Sequence, residues 1–141
     1  MFKEVKDRLV TILGTITGTS QPLKATFGYM NPSPELYPCA LVRVQGASQE
    51  IRLDTASNLL TMEFVVRVLI REKNTPPAED QRLTLMTAVT AVFRSAANVD
   101  TLAGLVEKFD IISITTIDIN EDQPAFGFDL VLQASKIRTI S

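Results

Sequence analysis

With 141 residues, the chain is long enough for one domain that buries roughly two thirds of the surface its unfolded form exposes. Fourteen basic and sixteen acidic residues leave a formal charge of -2, which excludes a basic excess able to neutralise a phosphate backbone, and with it general nucleic-acid affinity. The single cysteine, Cys39, excludes an internal disulfide framework; no apolar run reaches bilayer-spanning length, and Met1 leads into KEVKDR instead of a secretory leader, so a soluble product is expected.

From Phe2 onward, Phe2, Val5, Leu9, Ile12, Leu13 and Ile16 recur at helical spacing and predict an amphipathic first helix, weakened by Gly14 and the Thr-rich segment before Pro22. The prolines of TFGYMNPSPELYP permit a short strand at most, around Thr26 to Met30, with irregular backbone after it. CALVRVQ, from Cys39 to Gln45, predicts a strand in which Cys39 acts as a small buried hydrophobe. GASQEIRLDTASN, the segment from Gly46 to Asn58, reads as a turn or arm, with Glu50 to Thr55 as a further stretch of strand.

The most informative run is Leu59 to Lys73. It places Leu60, Met62, Phe64, Val66, Val68 and Ile70 on one side and Thr61, Glu63, Val65, Arg67, Leu69 and Arg71 on the other. A straight strand of that length spans about 45 Å, against about 37 Å for a compact domain of this size. An overhang is therefore expected, with backbone groups and an apolar face that need a partner.

A second helix is predicted from Thr75 and Pro76, favoured by Glu79 and Asp80 near its positive end, to a stop near Asn98. Its stripe is Leu85, Met86, Val89, Val92 and Phe93, with Ala88 and Ala91 permitting close approach to a sheet. A helical turn at Thr101 to Glu107 precedes strands at Asp110 to Ile119 and Phe126 to Ala134, joined by a hairpin at NEDQPA. The whole predicts an α+β two-layer sandwich, with a mainly antiparallel sheet of four to five strands and two helices on one face.

Reactive chemistry is sparse. The absence of histidine removes the commonest general base and leaves Cys39 without the usual activating partner. Neither phosphate-cradling glycine loops nor the familiar metal-binding spacings occur, so no cofactor, metal or small-molecule substrate is expected. Asp118, Glu121, Asp122 and Asp129 are the one acidic group; the plain reading is a solvated hairpin tip that keeps strand edges apart, the chemical one a divalent-cation site or an acid and base pair. Arg67 and Arg71 share a strand face with Arg43 nearby, and read as a solvated face balanced by Glu63 and Glu72, as partners of carboxylates across a subunit boundary, or as a phosphate site. Phe27, Tyr29 and Tyr37 read as a core cap or a partner anchor, and the tail SKIRTIS as an extension of the last strand or a loose terminus.

The order of elements resembles the tail terminator and tail-completion proteins of long-tailed bacteriophages. The likeness rests on the first helix, the loop ending in Tyr37 and Pro38 before a strand, the long strand of Leu59 to Lys73, the helix opening TPPAEDQRL and the closing strand pair. It spans nearly the whole chain and rests on arrangement, length and composition, without a diagnostic short motif. It implies a non-enzymatic virion subunit, made in the host cytoplasm, that forms a ring, usually of six copies, at the head-proximal end of the tail tube. There it would contact copies of itself, the tube protein and the head connector, and DNA would pass through the lumen without specific binding. On that reading Glu50, Arg52, Arg67, Val68, Leu69, Ile70 and Arg71 are expected at the subunit interface, and Asp118, Glu121 and Asp122 along the channel, where carboxylates would repel phosphates. Other neck or tube adaptors, a small ligand- or peptide-binding α+β domain, and a carboxylate-dependent enzyme are the competing readings.

Overall fold

Seven elements follow in chain order: α1 (Phe2–Gly14), β1 (Ala25–Phe27), β2 (Cys39–Arg52), β3 (Ser57–Ile70), α2 (Pro76–Phe93), β4 (Lys108–Ile117) and β5 (Phe126–Thr139). The computed structural model describes residues 2–30, 34, 36–70, 76–95, 101–102, 104–118 and 126–139, with the backbone alone described at 48, 49 and 139. Two helices and a mostly antiparallel sheet make an α+β fold. The strands lie in the order β1-β2-β3-β5-β4, and β1 is the parallel one, matching Ala25 to Phe27 with Cys39 to Leu41. An isolated parallel bridge joins Thr17 and Leu23.

Helix α1 forms where the sequence predicts it, because Val5, Leu9, Ile12 and Leu13 recur every three or four residues and bury together. It ends where the threonines begin to cap: the Thr15 hydroxyl donates to the Ile12 carbonyl at 2.6 Å and that of Thr17 to the Leu13 carbonyl at 2.7 Å. Helix α2 begins at Pro76, but it stops at Phe93 and not near Asn98, which lies outside the described residues. In Thr101 to Glu107, expected as a helical turn, the described residues 101–102 and 104–105 lie in turns, and the Val106 amide donates to the Thr101 carbonyl at 3.1 Å.

The even-numbered side chains of β3 from Leu60 to Ile70 all bury, as the alternation requires, and those from Met62 to Ile70 face the even-numbered residues Ala134 to Phe126 of β5. These two sets join Val5, Leu9, Ile12 and Leu13 of α1 and Leu85, Val89 and Phe93 of α2 in one core cluster. Gly127 allows the two strands to close. A Cβ there would stand 1.9 Å from the Val68 carbonyl oxygen, so no larger residue fits without moving backbone.

The sheet differs from expectation in length. The Gly46 to Asn58 segment, expected as a turn or arm, is mostly strand: β2 runs to Arg52, carrying register shifts near Gln45 and Ser48, and only a short turn separates it from β3. Strand β5 likewise continues through Lys136, Ile137 and Arg138. Fourteen paired residues span about 46 Å, whereas the eighteen residues of α2 span about 27 Å and the thirteen of α1 about 20 Å. The sheet therefore outreaches the helices.

Candidate assembly surface

That mismatch corrects the form of the expected overhang. Strand β3 is central and pairs on both sides, with β2 from Asn58 to Leu69 and with β5 along its whole length, so its own hydrogen-bonding groups are satisfied inside the chain. What projects is a three-stranded ribbon end, formed by the last residues of β2, the first of β3 and the last of β5. It exposes the outer edges of β2 beyond Leu41 and of β5 beyond Ser135, which no described strand pairs, and with them apolar side chains. Ile51, Leu53 and Ile137 are 43%, 48% and 44% accessible, large values for aliphatic residues.

The registers show how these residues are arranged. Ile51 faces Leu59, and Leu59 faces Ile137, so one apolar row crosses all three strands on the face turned away from the core cluster. On the opposite face of the same end lie Glu50, Arg52, Asn58, Lys136 and Arg138, in the positions that carry the core further along the strands. There Glu50 accepts from the Asn58 side-chain amide at 3.1 Å and is ion-paired with Arg138 at 3.5 Å. The side that is apolar in the body is thus charged at the tip, while the outer side, mixed in the body where Leu41 and Val65 lie beside Arg67 and Asp129, carries only the apolar row of Ile51, Leu59 and Ile137 there. A merely solvated strand end has no need of the apolar row.

A tight turn holds the tip. Asp54 accepts from the Ala56 amide at 2.7 Å and the Ser57 hydroxyl at 3.0 Å, an Asx turn closed further by the Leu53 amide on the Ser57 carbonyl at 3.0 Å. These bonds, led by the Ala56 amide, favour the ionised carboxylate and lower the Asp54 pKa.

The remaining expected interface residues lie elsewhere. Val68 and Ile70 are buried in the chain's own core and offer nothing to a neighbour, since they continue the even-numbered apolar face of β3. Arg67, expected across a boundary, makes a bidentate pair within the chain, Nε and Nη2 to Asp129 at 2.8 and 3.0 Å. The hydrogen bond to Asp129 raises the Arg67 pKa. Leu69 is half-buried on that same outer face, and Arg71 falls outside the described residues. Arg43 faces Val65, one step along the strand from Arg67.

The acidic group does not form one site. Asp118 accepts from Arg82 at 2.9 Å, whereas Asp129 pairs with Arg67 on the outer face; Glu121, Asp122 and the NEDQPA hairpin lie outside the described residues. Among the described residues no cluster of three potential metal ligands occurs, and no helix is long and apolar enough to cross a membrane. Arg82 was not foreseen. It is buried on α2, ion-paired with Glu79 and Asp118, and sits 4.4 Å over the Phe126 ring, tying the helix to the ends of β4 and β5. Its signal was present: Ala78, Arg82, Leu85 and Val89 share one helical stripe, which makes a cation there a candidate for burial. In the proline-rich loop, Phe27 and Tyr29 pack edge to face at 5.6 Å, with Tyr29 mostly exposed.

No protein-family model matches the chain, and no curated protein does either.

Proposed function

We propose that this chain is a non-enzymatic structural subunit that closes with copies of itself into a ring, as the tail terminator proteins it resembles do at the head-proximal end of a phage tail tube. On this reading the fold is a two-layer sandwich with both helices over one side of the sheet, and each copy meets its neighbours chiefly through surface beyond that layer. The observation that carries the proposal is the ribbon end, where Ile51, Leu59 and Ile137 line up outward beyond helical cover. An apolar row of this kind, set on a rigid paired ribbon, is what a repeating contact between copies needs. The tube protein and the head connector are then the partners above and below the ring, and DNA passes through its lumen unbound.

Negative-stain images of the purified protein test this. Discrete rings with a central hole, about six copies round, are the expected result. Fields of small compact particles without a hole, at concentrations well above those used for assembly, would remove the proposal.

A further inference from the structure

A closed ring needs two different surfaces on each copy, one for each neighbour. The ribbon end supplies one. Resting on the ring reading, we infer that the β2–β3 turn of one copy seats in the groove between α2 and β4 of the next, with Leu53 entering the groove and Asp54 meeting Arg94.

The groove has a volume of about 420 Å³ and is lined by Met86, Thr87, Thr90, Ala91, Arg94 and Ile114. It exists because β4 is the last strand of the sheet, beyond β5, which leaves its side chain beside α2 only partly covered: Ile114, which lines the groove, is 38% accessible. The chain between Ile111 and Ile117 carries no charge, so an apolar visitor strands no ion there.

The occupant is chosen by charge and by size. Arg94 is the one charged residue lining the groove and has no ion-pair partner among the described residues. At the turn, Asp54 keeps an ionised carboxylate with one oxygen outside the Asx bonds, directly after the exposed Leu53. A leucine followed by a carboxylate thus faces an apolar trough with a guanidinium at its rim. Pairing of two ribbon ends with each other is less suitable. Their apolar rows hold one residue from each of three strands, Ile51, Leu59 and Ile137, against the roughly 20 residues a side of a stable interface, and they offer no opposite charge to each other. It would also close a dimer and leave the groove empty.

Disulfide trapping tests the contact. Leu53→Cys and Thr87→Cys are placed in one chain, both at exposed positions, while the native Cys39 is buried and its thiol stays protonated at the working pH. Mild oxidation is expected to convert most of the double variant into a ladder of covalent oligomers, with neither single variant cross-linking. A non-cross-linked double variant whose native mass is still oligomeric would overturn this contact and leave the ring standing. Dimers from Leu53→Cys alone would overturn it in favour of end-to-end pairing, and a monomeric native mass would overturn ring and contact together.

Discussion

Gly127 and Cys39 show how far individual residues constrain this sheet. Because a Cβ on Gly127 would meet the Val68 carbonyl oxygen at 1.9 Å, Gly127→Ala must push β3 and β5 apart and is expected to cost about 3 kcal/mol, read as a shifted midpoint in urea denaturation. An unchanged midpoint would mean that the strands separate freely there. Burial pushes the Cys39 thiol up to about 11, partly offset by a hydrogen bond from the Leu69 backbone. The folded pKa thus lies above the ordinary value of 9.0, so the protonated thiol adds stability that is complete below pH 9 and lost as pH climbs through 11. At pH 8 a thiol reagent such as DTNB should leave the native protein unlabelled and react at once after denaturation, since the thiolate is the reactive form. Prompt labelling of the native state would contradict the burial.

At the scale of elements, the two faces of one ribbon make different demands. Val68, in the sealed part, is a folding residue, and Val68→Asp should leave no soluble folded chain, because an unpaired carboxylate cannot be accommodated at a fully buried site. Ile51 and Ile137, at the tip, are not. The double change Ile51→Ser and Ile137→Ser removes half-exposed apolar area only and should alter thermal stability by less than about 1 kcal/mol while weakening self-association at least tenfold by sedimentation velocity. Equal loss of folding and association would mean that the row serves the fold. Much of this was legible in the sequence. The period-two pattern of Leu60 to Ile70 named the buried face correctly, and the spacing of Val5, Leu9 and Ile12 named the face of α1. Pro76 marked the start of α2. What stayed hidden was long-range: Gly46 to Gln49 read as a turn or arm because nothing local announces that β3 will hold them in register, whereas the stretch of strand expected from Glu50 ends in fact at Arg52 and gives way to a turn at Leu53 to Ala56. Nor could the sequence show that Arg67 would find Asp129, sixty-two positions away, inside its own chain. Arg82 was readable from its stripe, but its carboxylate partners were not all local, since Asp118 reaches it only through the sheet.

For the molecule as a whole, the governing quantity is the disparity between strands of about 46 Å and helices of about 20 and 27 Å. Helical cover of that length seals the body of the sheet, and the change from apolar to polar side chains on its inner face at Glu50, Asn58 and Arg138 marks where it stops. On the ring reading proposed above, the ribbon end beyond that point and the groove between α2 and the edge strand β4 are the two different surfaces that a closed ring asks of each copy. The charge of -2 is small enough not to oppose close association. Native mass spectrometry of the purified protein at micromolar concentration tests this most directly. The account predicts a single closed species whose mass is a whole multiple of 15.5 kDa, about six; a sole species at 15.5 kDa that persists as concentration rises would contradict it.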